Sequence, residues 1–581
     1  MHFLLSRVPS SASHVRVVSL PTRSEPANIL WIEDSPKHVK RYTSDRGTIV
    51  VIGDLVVGKH KQANFELFHD AILSNGVHRF GGFFYLLYLD ANSPIVRVYS
   101  SLFGILPLYY YESRDQILVS SSIRLILDSV KKDLPVDKQY ILERTLFNYG
   151  LFNRTYFVGI KLLKANHYAE IDSGVKEVSQ FDATDLYTAD PQKGKPTLER
   201  LSDFFVRNTE KYLGEEEYAL SFTGGFDGRS LLGVSKYFGR NFFTYSFGSE
   251  DSRDVLLPLS QSATIGVRFT PIYLDAEYLA KWSYTFGREL IEKTEGYASF
   301  ARAHYLYAAK QLSLKANYII TGNFGSELLR ALHNSGVMIS KELIEFFRRD
   351  NGSWEKEWAA SPRLSVLRKA GLGVGIQQVI EEAHQFKATY SGLNRNQLLY
   401  VYLLNEIFRK YFGPEVCMQR YFLFNRAPFL DYDFIKELFA TYYSGPYSDF
   451  FTDNPAKRAK GQLLYAYIMK RTYPLLLRLM TGKGYRPDSL LGELGKLDLL
   501  LKFMKKKLSG NTIGSHDPFA VDKAFHSNRD KWLTVPILQD FYDATEIKQQ
   551  VQSGETNSDF LSNVISANYY LMRHDIQDAG V

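Results

Sequence analysis

Cysteine is nearly missing: Cys417 stands alone among 581 residues. That rules out an internal disulfide and any metal site built on several thiolates, and it makes a reducing, intracellular compartment the expectation. A buried, inert thiol is its plain role. Long apolar runs are also lacking. A membrane helix needs about 20 apolar residues, and the stretch from Tyr465 to Met480 is broken by Lys470, Arg471 and Arg478. The opening Met1-His2-Phe3-Leu4-Leu5-Ser6-Arg7 has too short an apolar run for a secretory signal, so a cytoplasmic protein without a membrane partner is expected. Charge of one sign is not concentrated either. The 70 Lys and Arg against 63 Asp and Glu leave +7, and the tight basic run Lys505-Lys506-Lys507 reads as a solvated helix end, so nucleic acid is not an expected partner. Repeats and low-complexity tracts are absent.

What is present supports packed cores. Hydrophobic residues make up 45% and aromatics 14% of the chain, and the length calls for two domains or more. From Ile49 to about Asp172, short runs rich in aromatic and β-branched residues alternate with turns. Examples are Ile49-Val50-Val51-Ile52, Phe83 to Leu89, Ile95 to Tyr99 and Leu108 to Tyr111, with a hairpin turn at Asn92-Ser93-Pro94. Helices are expected at Ala63 to Leu73 and Ser121 to Val130. An exposed connection follows at Asp190 to Pro196, after which Thr197 is expected to cap a helix carrying Leu198, Leu201, Phe205 and Tyr212.

The organising stretch runs from Tyr218 to Leu232. A buried-strand run, Tyr218-Ala219-Leu220-Ser221-Phe222, stops at Thr223-Gly224-Gly225, and Asp227-Gly228-Arg229 leads into a helical pattern. Paired glycines admit close backbone N–H groups, and the helix N-terminus adds free donors and partial positive charge. Such a place suits phosphate. An acid there makes sense if magnesium bridges Asp227 to a pyrophosphate. No lysine follows the glycines at Walker spacing; the bland alternative is a glycine turn with a solvated aspartate. Further strands at Phe242 to Gly248, Arg268 to Leu274 and Asn317 to Ile320, separated by helices, predict a parallel, doubly wound sheet with ligands at the strands' carboxyl ends. The string Gly371-Leu372-Gly373-Val374-Gly375 follows a helical stretch, so a dinucleotide fingerprint is not expected.

The run from Ser221 to Arg229 resembles the pyrophosphate loop of the N-type ATP pyrophosphatases, Ser-Gly-Gly-x-Asp-Ser, with Thr223 for the first serine and Gly228 for the last. Phe80 to Asp90, Gly104 to Tyr110 and Val119 to Ser122 resemble the class II glutamine amidotransferase domain of asparagine synthetases. Asn148 to Gly150 and Thr155 to His167 are similar to that family's crossing segment. Thr321-Gly322-Asn323-Phe324-Gly325-Ser326-Glu327 resembles its second ATP loop, with Asn323 where a catalytic acid stands and Ser326 where a second metal aspartate stands. Asn425 to Asp431 and Thr481 to Pro487 match two later motifs.

The resemblance covers about residues 80 to 490 and implies a fold. That fold is an N-terminal αββα, Ntn-hydrolase-like sandwich (1–182), a linker (183–196), a doubly wound ATP pyrophosphatase domain with extra helices (197–490) and a helical extension (491–581). It implies ATP contacts at Phe222, Thr223, Gly224, Gly225, Gly228, Ser246, Phe247, Thr321 and Gly322, magnesium on Asp227, and catalytic roles for Lys483 and Glu327. The family's amidotransferase nucleophile is a cysteine at position 2, which is His2 here, and its Arg-Asp pair is Ser100-Ser101. Cys417 lies far along the chain in the other domain, so no nucleophile is left and glutamine hydrolysis is not expected.

The implied reaction is AMP- and pyrophosphate-forming amide ligation: a carboxylate, from a small molecule or a peptide, is activated by ATP and opened by ammonia or an amine. Asparagine biosynthesis is the family's own use of it, and the β-lactam synthetases and lasso-peptide cyclases resemble this arrangement. Two alternatives stay open, a catalytically impaired homologue that binds nucleotide or a partner and, more distantly, a tRNA-modifying pyrophosphatase. A homodimer is left open.

Overall fold

A computed structural model describes residues 2–7, 17–19, 29–33, 38–59, 61–130, 133–329, 338–348, 352–370, 372–448, 450–451, 455–492, 495, 521–554 and 558–578. The expectation for Lys505-Lys506-Lys507 falls outside these residues.

Two antiparallel sheets face each other in the N-terminal part. Strands are β1 (His2–Ser6), β2 (Val17–Ser19), β3 (Ile29–Glu33), β4 (Val39–Ser44), β5 (Gly47–Val56), β6 (Gly81–Asp90), β7 (Val96–Ser100), β8 (Tyr109–Glu112), β9 (Ile117–Ser120), β10 (Ile160–Leu162), β11 (His167–Ile171) and β12 (Val175–Ser179). One sheet has the order β10-β8-β9-β1-β3-β2, the other β12-β11-β7-β6-β5-β4. Strand alternation explains the layering. Along β6, Phe83, Tyr85, Leu87 and Leu89 enter the core shared with Phe3, Leu5 and Trp31 of the opposite sheet. Phe84, Leu86 and Tyr88 point the other way, onto helix α1 (Phe65–Leu73) through Phe65, Phe68 and Ile72. Helix α2 (Ile123–Ser129) lies against β1, β8 and β9 of the first sheet. The result is the αββα sandwich.

Helix α3 (Lys138–Phe147) precedes the crossing segment, and α4 (Lys195–Thr209) opens the second half. The structure corrects the expected cap: α4 starts at Lys195, inside the stretch read as linker, with Gly194 as its cap at φ 96°. Pro196 fits the first turn, where no N–H is needed, and Thr197 Oγ1 donates back to the Lys193 carbonyl at 2.9 Å.

The second half is built on a parallel sheet of β13 (Tyr218–Ser221), β14 (Phe242–Gly248), β15 (Phe269–Tyr273), β16 (Tyr318–Ile320) and β17 (Phe424–Arg426), ordered β15-β14-β13-β16-β17. The order reverses between β13 and β16, and crevices for ligands open at such switch points. Helices α5 (Asp227–Tyr237) and α6 (Arg253–Ile265) make the first crossovers. Further helices lie at Val521–Leu533, Ala544–Ser553 and Ser558–Asp578. Among the described residues no helix is long and apolar enough to cross a membrane.

The halves are joined by buried and half-buried polar contacts. Glu295, at φ 49°, accepts from the Ser122 hydroxyl and from the N–H groups of Ile123 (2.9 Å) and Arg124 (3.1 Å), capping α2 from the other half. Arg426 grips Asp54 through Nε and Nη2 at 2.6 and 3.0 Å.

Candidate functional site

The loop after β13 is a strand-to-helix turn with little spare room. Phe222 is fully buried and its N–H donates to the Tyr245 carbonyl at 2.9 Å, so it extends the strand. Thr223 Oγ1 accepts from the Gly225 N–H at 3.2 Å. A Cβ on Gly228 would drive into the Ser221 carbonyl, so this backbone has room only for glycine there. Helix α5 begins at Asp227 with no side-chain cap. The N–H groups of Asp227, Gly228 and Arg229 are those an α-helix leaves without intrahelical partners.

Asp227 points at the second loop. A Cβ on Gly322 would fall 2.5 Å from the Asp227 Cβ, and one on Gly325 2.5 Å from its Oδ1. Its Oδ2 accepts from the Ser326 hydroxyl at 2.9 Å, and its Oδ1 from Tyr465, a fully buried residue of the helix Pro455–Thr472. Thr321 leads into this loop, and its Oγ1 donates to Asn425 Oδ1 at 2.8 Å. Asn323 takes no part in that cradle: its side chain bonds Glu415, which Arg302 holds at 2.6 Å. Burial pushes the Glu415 carboxyl up, against the pull of Arg302 and Asn323.

The third piece is the turn at Thr481 to Tyr485. Gly482 N–H donates to the Gly224 carbonyl at 2.8 Å, seating this turn on the glycine loop. The Thr481 N–H and hydroxyl both donate to the Tyr485 carbonyl, at 3.0 and 2.6 Å, which tightens the turn and leaves Lys483 exposed at its tip. Arg229, fully buried in α5, binds the Met480 carbonyl at 3.0 Å and Gln261 Oε1 at 2.9 Å, with the Leu476 carbonyl at 3.5 Å. Burial lowers its pKa to about 10, which still leaves it cationic at neutral pH beneath the loop.

Thr223, Gly224, Gly225, Asp227, Gly228, Thr321 and Gly322 thus meet, with Lys483 on the adjoining turn. The others stand around them. Ser246 is buried and its hydroxyl donates to the Asp254 carbonyl at 2.5 Å. Phe247 is half-buried, its ring 5.3 Å from that of His304. Glu327 sits half-buried in the turn Gly325–Leu329, its carbonyl accepting from Tyr400 at 2.9 Å. Sequence reasoning missed Tyr465, Arg229, Gln261 and Asn425 as supports. Arg229 and Asn425 carried a sign, their places in the run ending at Arg229 and in the motif ending at Asp431; Tyr465 and Gln261 carried none.

As a metal site, the donor set is sparse. Among the described residues no group of three His, Cys, Asp or Glu gathers. Asp227 is the carboxylate at this place, bonded by Ser326 and Tyr465. A single carboxylate fits magnesium that keeps waters and phosphate oxygens as its other ligands; it does not fit an all-protein cage.

The position of the amidotransferase nucleophile lies elsewhere, at the seam between the halves. His2 Nε2 lies 2.6 Å from the Tyr421 hydroxyl and Nδ1 3.4 Å from Ser121 Oγ. Burial, then the positive charges of the chain's N-terminus, Arg420 and Arg124, hold this ring well below the ordinary histidine range. The remoteness expected of Cys417 is corrected here: carried by the helix Gly413–Gln419, it lines the same cavity as His2, with Tyr109, Ser121, Lys293 and Glu295. The thiol is nonetheless pushed up to about 12 by burial, so it is not a thiolate at neutral pH. The cavity, about 40 Å³, has room for about three waters, far below the roughly 300 Å³ of an ordinary small-molecule site.

A family model described as a glutamine amidotransferase domain matches residues 67–182. The N-terminal part is therefore an amidotransferase-type domain. No curated protein matches. Among solved structures, the chain is similar to the glutamine phosphoribosylpyrophosphate amidotransferase of B. subtilis, complexed with ADP and GMP. The identity is 10% and the TM-score 0.18, with 46% of this chain and 64% of that one covered. The chain thus spans less than two thirds of that protein, and the superposition is too loose to argue from.

Proposed function

We propose that the protein is an ATP-dependent, AMP- and pyrophosphate-forming amide ligase of the asparagine synthetase type, working with free ammonia or an amine and without its own glutaminase. One observation carries the reading: Asp227 and the N-terminus of α5 face the Thr321 loop while the Lys483 turn is bonded onto Gly224. Three segments far apart in sequence converge as a triphosphate site requires. Phe222, Thr223, Gly224, Gly225 and Gly228 would offer the phosphates a loop of backbone around the helix N-terminus. Phe247 and the backbone of Ser246 would border the adenine, with Thr321 and Gly322 closing the opposite wall. Magnesium on Asp227 would neutralise pyrophosphate charge. Lys483 would meet the departing pyrophosphate, and Glu327 would act near the carboxylate being activated. Charge placement of this kind is the main catalytic lever when a phosphorus–oxygen bond breaks.

The measurement is pyrophosphate release from ATP with a panel of carboxylic acids, with and without ammonia and with glutamine. Release that requires an acid and is raised by ammonia but not glutamine supports the ligase. A second reading, a catalytically impaired nucleotide-binding homologue, is favoured by Asn323, which replaces an acid and is turned to Glu415. It predicts ATP binding without release.

A further inference from the structure

Away from that site, a groove of about 870 Å³ runs along the seam between the two halves. The amidotransferase-type side lines it with Lys59, Lys61 and Arg79, and the other half with Arg207, Lys211 and Lys436. Asp70 and Asp433 are its acids. Three of the six cations already hold carboxylates of this chain: Lys59 meets Glu210, Arg79 meets Asp433 at 2.8 Å and Lys211 meets Asp431 at 2.6 Å. Lys61, Arg207 and Lys436 are exposed and have no acidic partner within 4 Å among the described residues. Phe80, Tyr432 and a buried His78, whose pKa burial lowers to about 4, also line it.

We propose that this groove binds an acidic peptide segment of a partner protein, laid across both halves. Cations contributed by both halves suit several separate carboxylates, and Arg79 and Lys211 already hold carboxylates of this chain at 2.8 and 2.6 Å. A nucleic-acid strand fits less well. Asp70 and Asp433 would face its continuous phosphates, and the aromatic surface is confined to Phe80 and Tyr432, short of the successive stacking platforms that single strands use. Being open to solvent, the interaction is strongly salt-dependent and acts on association rate as much as on affinity. It does not rest on the ligase reading.

The test uses the full chain and a fluorescein-labelled decapeptide of alternating glutamate and glycine, followed by anisotropy at 50 and 300 mM salt. The K61E/R207E/K436E variant breaks no ion pair among the described residues, so the fold should be kept, and an unchanged melting temperature verifies it. K315E/K369E/K523E makes the same charge change on exposed residues outside the groove. Binding at 50 mM salt that falls about ten-fold in the groove variant, holds within about two-fold in the control variant and fades at 300 mM is the expected result. No binding, equal loss in both variants, or tighter groove-dependent binding of a labelled thymidine decamer than of the peptide overturns the proposal.

Discussion

The two halves differ in how they meet the patterns that their sequences resemble. In the N-terminal sandwich a histidine, His2, stands where the resemblance places a cysteine. His2 packs as a neutral ring between Tyr421 and Ser121, and the nearby Cys417 is half-buried and protonated. The sheets around it need nothing more from position 2, so the domain survives as a packed body. In the parallel-sheet half the departures are absorbed by the site itself. Ser326 donates to Asp227, Gly228 fits where a side chain would strike the Ser221 carbonyl, and Asn323 joins a buried pair of Arg302 and Glu415. On the proposed reading, the second half keeps an arrangement around one carboxylate that a ligand could use, whereas the first half has a histidine where the resemblance places a thiol.

Substitutions sharpen that contrast. Asp227→Asn is expected to have the largest effect, lowering pyrophosphate release about 100- to 1,000-fold, about 3 to 4 kcal/mol in the barrier, as for other removed electrostatic contacts. Steady-state assays check it. Gly228→Ala comes next. Overpacking against backbone costs about 1 to 3 kcal/mol, read as a lower denaturant midpoint together with weaker ATP binding.

A smaller effect belongs to His78, lowered to about 4 by burial against an unfolded value of about 6.5. Between those values the unfolded chain binds more protons, so stability is full above about pH 6.5 and is lost as pH falls toward 4. In His78→Gln the fall of melting temperature over that window should be shallower than in wild type. His2→Ala should do least, leaving ammonia-dependent turnover within about two-fold, because the position carries no step. A drop beyond ten-fold would mean that the first half is coupled to the second.

Much of this was legible in the sequence, for physical reasons. Strands β13, β14 and β16 are buried on both faces and read as continuous apolar runs, and the glycine loop announces itself because few sequences need two glycines, an acid and a helix start together. Strands β1 to β4 were not seen, being short or poor in alternation. The cap of α4 was misplaced because threonine is the commoner signal and Gly194 gives none. What sequence could not show was contact across the seam. Cys417 reaches the His2 cavity by the packing of a helix over 400 residues away, and Arg229 lies buried although arginine is almost always exposed.

Calorimetry of magnesium-ATP binding tests the centre of the account without knowledge of the acid substrate. Wild-type protein should bind, inorganic pyrophosphate should compete, and Asp227→Asn should weaken binding at least about ten-fold, or 1.4 kcal/mol. No binding by the wild type, or equal affinity in the variant at unchanged melting temperature, would contradict it.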